Sequence, residues 1–355
     1  MDNKYFFSVI IPCFNSKRTI DRLLNSLVCQ DFPKDEFEVI LCDDGHEDNW
    51  HKKINNYKKD LNIIYCETKK HKFKCPGNTR MDALPLASGQ WICFVDHDDI
   101  LATDALSIAK NLIIKNNIKY VLATEPVDLD PHDPNQELYS YGRQITLLHG
   151  KFYNKDFLDK YKINFLEDFA THEDLYFNTA VMCALYREGE ETMIWFSDPL
   201  YIWVNFPDSL SKSYYKPYKE YEKNYLEANF QDYLTAYTEN YLNLWQEEKF
   251  TGDEKLKVHL MYSILYAYFY YEGELYHLKE EVSKPELLIA INHIKKIMNI
   301  CNFTKEDIIN YIYKNPVNYA YIRKDIPQTE GPFIEDQSFK DFILTNIAED
   351  QSNNS

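Results

Sequence analysis

The chain has 355 residues, 45% of them hydrophobic and 15% aromatic, and a formal net charge of -17. That length suits one large or two modest domains with a sizeable core. The charge argues against nucleic acid as a partner, since phosphates demand clustered Lys and Arg, and against a permanent seat on anionic lipid.

Met1 to Lys4 lead at once into strand-like sequence, which leaves no room for a secretory signal and predicts a cytoplasmic protein, at most peripheral at the inner face of the membrane. Phe6 to Ile11 is apolar apart from Ser8 and stops at Pro12, a first buried strand. Asn15 and Ser16 can cap the helix in which Ile20, Leu23, Leu24, Leu27 and Val28 recur at helical spacing. Phe37 to Cys42 repeats the strand theme and ends on Asp43, Asp44 and Gly45. A charged helix is expected from about Glu47 to Lys59, then a short strand at Ile63 to Tyr65. His71 to Asn78, with Pro76 and Gly77, reads as a loop before a helix near Thr79 to Ala87. Eight cysteines lack any Cys-x-x-Cys pair, and Cys13, Cys42 and Cys93 sit in strand-like runs, so reduced core thiols are expected rather than zinc ligands or disulfides.

Trp91 to Val95 is a five-residue apolar run that stops on Asp96, His97, Asp98 and Asp99. A buried strand is predicted, with its acidic end where open α/β sheets bind ligands. Carboxylates in an Asp-x-Asp spacing suit a hard divalent cation shared with phosphates. Beyond it, Leu106, Ala109, Leu112 and Ile113 mark a helix and Tyr120 to Ala123 a strand. Pro126 to Tyr141 is a polar loop long enough to wall or cover a substrate. His149 to Lys151 precede a helix from about Lys155; another begins near Glu173, with Leu175, Thr179, Met182 and Tyr186 on one face. Met193 to Phe196 and Leu200 to Val204 read as late strands around Pro199. This alternation predicts an α/β fold with a doubly wound, mostly parallel sheet.

Composition changes near Ser213. From there Tyr218, Tyr221 and Tyr225, then Tyr233, Tyr237 and Tyr241, fall at helical spacing, and Thr304 with Asp307 makes a capping-box start. The expected domains are 1–212, an α/β catalytic unit; 213–345, a helical domain; and 346–355, a fraying tail. The longest apolar stretch, near residues 261–271, is shorter than the ~20 residues of a membrane helix and rich in tyrosine, so no transmembrane segment is expected. No G-x-G-x-x-G and no Walker lysine motif occurs, which leaves phosphate to metal and cationic side chains.

Taken in order, Val9-Ile10-Ile11-Pro12-Cys13-Phe14-Asn15, Asp43-Asp44-Gly45, Gly77 with Arg80, Ala87-Ser88-Gly89, Asp96-His97-Asp98-Asp99, Leu148-His149-Gly150-Lys151 and His172-Glu173-Asp174 resemble family 2 glycosyltransferases of the GT-A fold over roughly the first 205 residues. The layout with a following helical domain resembles the wall teichoic acid glycosyltransferases of Gram-positive bacteria and their phages. The resemblance implies a Rossmann-like GT-A sheet and an inverting, metal-dependent transfer from a UDP-sugar of GlcNAc, GalNAc or Glc type. The implied acceptor is a hydroxyl of a surface glycopolymer such as teichoic acid or capsule. A protein or peptide acceptor is the alternative within the same chemistry, and a non-catalytic nucleotide-sugar scaffold is the alternative of another class.

The resemblance also assigns roles. Pro12, Phe14, Asn15 and either Asp43 or Asp44 would read the uracil; Arg80 would pair with the nucleotide or its diphosphate; Asp96 would lie near the ribose and metal-bound water, beside His97. Asp98 would hold Mn2+ or Mg2+, with Asp99 in support. Asp174, next to Glu173 at a helix start, would be the general base, and Ser211 would lie in a loop closing over the donor. Met81 stands where many relatives carry asparagine, and Val204 and Asn205 where they carry arginine, so Lys212 becomes the substitute diphosphate cation. Exposed tyrosine and leucine in the helical domain would suit a homo-oligomer.

Overall fold

The computed structural model of the chain describes residues 4–45, 48–72, 74–130, 138–140, 142–143, 147–167, 173–190 and 193–205, with Lys295, Asn299 and Thr304. The chain divides into two units, Met1–Tyr218 and Lys219–Ser355. Apart from Lys295, Asn299 and Thr304, the expected helical domain lies outside the described residues, as do the tail, His172, Ser209 to Ser211 and Lys212.

In chain order the strands are β1 (Tyr5–Cys13), β2 (Phe37–Asp43), β3 (Ile63–Glu67), β4 (Gly89–Phe94), β5 (Ile100–Leu101), β6 (Val121–Thr124), β7 (Val127–Leu129), β8 (Tyr139–Ser140), β9 (Lys151–Asn154), β10 (Ile194–Phe196) and β11 (Tyr201–Val204). The helices are α1 (Ile20–Val28), α2 (Pro76–Ala83), α3 (Ala105–Lys115), α4 (Lys155–Lys160) and α5 (Glu173–Arg187). A seven-stranded sheet runs β10-β6-β9-β4-β1-β2-β3, and a four-stranded one runs β5-β11-β7-β8. In the larger sheet only β9 is antiparallel to its neighbours. The chain starts at β1, winds outward to β3, then crosses back to β4 on β1's other side. That reversal opens a crevice at the carboxyl ends of β1 and β4.

Burial explains the central strands. From Phe7 onward β1 is buried on both faces, as is all of β2, and α1 covers one side with Ile20, Leu23, Leu24 and Leu27, all fully buried. β1 continues through Pro12 to Cys13, two residues beyond the predicted end at Ile11. Val95 donates to the Ile10 carbonyl, so the missing N–H of Pro12 faces the same side, where pairing with β4 has already ended at Ile10.

Four other expectations need correction. The charged helix of 47–59 is a seven-residue 3-10 segment, Trp50–Asn56, whose Trp50 and Ile54 are buried. α2 begins at Pro76 rather than Thr79, because proline's fixed φ and absent N–H suit the first helical position. The loop of 126–141 contains β7 and β8, which pair with each other. β9 was not expected at all; four residues are too few to show alternation, and Lys151 disguises a buried strand. Among the described residues no helix is long and apolar enough to cross a membrane.

Candidate active site

The site grows from the turn that follows β4. Its Asp99 is buried and spends both carboxylate oxygens on β11, accepting from the Val204 N–H at 2.8 Å and from the Tyr201 hydroxyl. Burial, with the charges of Asp98 and Asp96, raises the Asp99 carboxyl well above the ordinary range despite those donors. On the other side Arg22 of α1 donates to the Asp98 carbonyl, and the Thr19 hydroxyl meets His97 Nδ1 at 2.8 Å. The acidic turn is therefore clamped between α1 and β11.

Asp96 faces inward. It takes Arg80 on Oδ1 at 2.5 Å and His149 Nε2 on Oδ2 at 3.3 Å. Burial opposes its ionisation, but Arg80 and His149 outweigh that and hold it well below the usual carboxylate range. The second arm of the Arg80 guanidinium donates to Glu173 at 2.7 Å. Two carboxylates on one buried guanidinium form a charge-assisted bridge, which brings the first turn of α5, and so Asp174, to the carboxyl end of β4. Burial raises the Glu173 carboxyl in spite of Arg80. His149 also packs its ring on Tyr201 and Trp203, with centroids 4.7 and 5.4 Å away.

Beside this turn, past the ends of β2 and β3, lies a cavity of about 360 Å³ lined by Asp43, Asp44, Thr68, Lys70, His71 and Lys74 among others. Asp43 is committed to its own walls, accepting from the Tyr65 hydroxyl at 2.9 Å, the Gly45 N–H at 3.1 Å and the Trp50 indole at 3.3 Å. Asp44 accepts from the Thr68 hydroxyl at 3.1 Å. Burial pushes its carboxyl up to about 6 against Thr68, Lys74 and His71. Lys74 lies 4.9 Å from the ring of Phe14, a half-exposed side chain at the end of β1. His71 ties the cavity wall to α2 and beyond, meeting Asp82 at 2.8 Å and Glu167 at 3.1 Å.

A model described as glycosyl transferase family 2 matches residues 8–192, more than half of the chain. The chain belongs to glycosyl transferase family 2. This glycosyltransferase is 32% identical over 180 residues to the poly(ribitol-phosphate) beta-N-acetylglucosaminyltransferase TarS of Staphylococcus aureus, a match spanning 48% of the chain and 31% of that relative. It is 37% identical over 99 residues to a poly(ribitol-phosphate) beta-glucosyltransferase of Bacillus spizizenii, spanning 28% of the chain and 16% of the relative. The matched parts thus cover less than a third of either relative's length. Its fold superposes on S. aureus TarS 1-349 in complex with UDP-GlcNAc with TM-score 0.65 and 21% identity, over 96% of this chain and 89% of that one.

Of the residues singled out in the sequence, the structure joins Arg80, Asp96 and Glu173 directly, and places Asp43 and Asp44 in the neighbouring cavity. His97 meets the Thr19 hydroxyl through its ring and Asp98 meets Arg22 through its backbone carbonyl, and Ser211 lies outside the described residues. Asp96, Asp99 and His149 bring ligand atoms within 4.8 Å of one another. In that group, however, Arg80 already answers Asp96, and Tyr201 and Val204 answer Asp99. Asp98 is the member of the turn whose described hydrogen bond uses only its backbone carbonyl. Carboxylates and an imidazole with no thiolate, Asp98 beside them, are a donor set that suits a hard divalent cation better than a soft one. Arg22 and Tyr201 went unassigned in the sequence, where His149 and Lys151 stood in a family-like motif without a role of their own. Arg22, His149 and Tyr201 act on partners more than 50 residues away, and local pattern carries no trace of such a pairing.

Proposed function

We propose that the protein transfers a sugar from a UDP-sugar, of GlcNAc, GalNAc or Glc type, to a hydroxyl of a bacterial surface glycopolymer such as teichoic acid, with inversion at the anomeric carbon. The Arg80 bridge between Asp96 and Glu173 carries this reading, because it puts a helix-start carboxylate opposite the acidic turn. The UDP-GlcNAc named for the solved TarS complex supports the donor class, and the poly(ribitol-phosphate) in both relatives' names supports the acceptor class. Domains at 1–212 and 213–345, with a tail at 346–355, are part of the same proposal.

In this mechanism the cavity beside β2 and β3 takes the uracil. Asp43 shapes the wall and Asp44 accepts from the base N–H. Asp96, fixed by Arg80 and His149, borders the ribose, and Asp98 would hold Mn2+ or Mg2+. Such an ion would offset charge developing on the departing diphosphate. Asp174 takes the proton of the acceptor hydroxyl as that oxygen attacks the anomeric carbon from the face opposite the diphosphate. It stands in the first turn of α5, at the positive end of the helix dipole.

The test is UDP release from a panel of UDP-sugars with Mn2+ and a poly(ribitol phosphate) acceptor. One sugar should stand out, and Asp174→Asn should lower turnover by about 10²–10⁴-fold while leaving UDP affinity unchanged. Wild-type turnover in that variant would remove Asp174 from the mechanism.

A further inference from the structure

Lys151 is the first residue of β9 and is 1% exposed. Its ammonium donates to the Leu147 carbonyl and lies 5.6 Å from the centre of the Trp195 ring. An interior ammonium costs several kcal/mol of desolvation, and a methionine would fill a similar space without that cost. The carboxylate whose charge acts on Lys151 is Asp174. The same Leu147 carbonyl accepts from Asn178 Nδ2 at 3.1 Å, and that amide also donates to the Asp174 carbonyl at 3.1 Å. Its other end, Oδ1, accepts from the buried Tyr153 hydroxyl at 2.8 Å. One carbonyl just ahead of β9 thus gathers a lysine from β9 and an asparagine from α5, and the asparagine grips the backbone of the residue assigned as base.

We propose that Lys151 and Asn178 are positioning residues for the transfer, which hold the first turn of α5 against β9 through the Leu147 carbonyl and so set where the Asp174 carboxylate stands. This rests on the reading of Asp174 as the base. The network lies behind α5, while the uracil cavity is built from β2, β3 and the segment after them. Disturbing it moves the base and spares the donor pocket, because a carboxylate displaced by ~1 Å can cost on the order of 10²-fold in rate.

The experiment compares Lys151→Met, Asn178→Leu and Asp174→Asn in the full chain, using UDP-GlcNAc with poly(ribitol phosphate) and following kcat, donor KM, UDP affinity and melting temperature. Lys151→Met and Asn178→Leu should each lower kcat at least about tenfold with donor KM and UDP affinity within about twofold. The double variant Asn178→Leu with Tyr153→Phe removes the amide and its hydroxyl partner together. It should regain melting temperature and keep the low kcat. Recovery of kcat in the double variant would overturn the proposal, since satisfying buried polar groups would then be the whole role. Full kcat in both single variants while Asp174→Asn is inactive would overturn it too. An active Asp174→Asn enzyme is a separate failure, that of the base assignment itself.

Discussion

Arg80 is the residue on which the site's geometry turns. Its buried guanidinium answers two carboxylates 77 positions apart in sequence, Asp96 and Glu173, and so makes one site of two distant motifs. At the same scale the adjacent aspartates after β2 divide their labour. Asp43 is consumed by Trp50, Tyr65 and Gly45, whereas Asp44 is pushed up to about 6 by burial. An acid whose native value is raised is protonated in the folded protein at pH 5 and ionised at pH 7. If the ionised form accepts from the uracil N–H, UDP affinity rises as pH rises through about 6. Calorimetric titration of UDP between pH 5 and 7 should show tightening of up to about tenfold per pH unit, and Asp44→Asn should flatten that dependence. A flat wild-type profile would exclude Asp44 as the base reader.

Among the elements, the joining of β4 to β1 depends on a glycine. A Cβ on Gly89 would stand 2.5 Å from the backbone of Phe7 and Ser8. Around it the buried Glu38 accepts from the Ser8 and Ser88 hydroxyls and the Ser88 N–H, and the Ser8 hydroxyl accepts from the Gly89 N–H. The Ser88-Gly89 portion of the family-like sequence is therefore a joint in the sheet, far from the acidic end of β4. Gly89→Ala should destabilise the protein by about 1–3 kcal/mol or more, measured by urea unfolding, because backbone rather than a flexible side chain must give way.

The segment that walls the cavity has a titrating tie of its own. Burial alone would lower the His71 value, but Asp82 and Glu167 outweigh it and raise it, while Asp82 is held below its usual value, His71 and Lys69 outweighing the effect of burial. Stability from the raised histidine is fully present below about pH 6.5 and is lost as pH rises through its native value. The Asp82 part is lost instead as pH falls through the acid range. Melting temperature should thus decline from pH 6.5 to 8, and His71→Gln should remove that decline.

For the whole molecule, charge is the governing quantity. In the proposed mechanism a chain of net charge -17 takes a nucleoside diphosphate beside Asp96, Asp98 and Asp99, and it would then have to neutralise the diphosphate locally. Screening by simple salt, with a Debye length of about 8 Å at physiological ionic strength, is too diffuse for charges in contact. Chelation with EDTA should therefore weaken UDP binding at least about tenfold, close to 1.4 kcal/mol, and raising NaCl should not restore it. Unchanged UDP affinity in EDTA would argue that cationic side chains alone hold the diphosphate.

By itself the sequence determined the α/β class, the apolar strands that form the middle of the sheet, and the positions of the acidic turn and of the helix that starts at Glu173. Runs of Val, Ile and Leu, and apolar residues at helical spacing, are local consequences of burial and can be read in a window of ten residues. The tertiary structure alone decided that β9 inserts antiparallel between β4 and β6, that Arg80 bridges Asp96 to Glu173, that Asp43 accepts from Trp50, Tyr65 and Gly45 while Asp44 accepts from Thr68, and that Lys151 is buried. The longest of those pairings reaches across the 93 positions between Arg80 and Glu173, and they are fixed when the sheet closes and each buried charge must find a partner. No local periodicity records them, because the partner's identity is set by strand order and register rather than by neighbours in the chain.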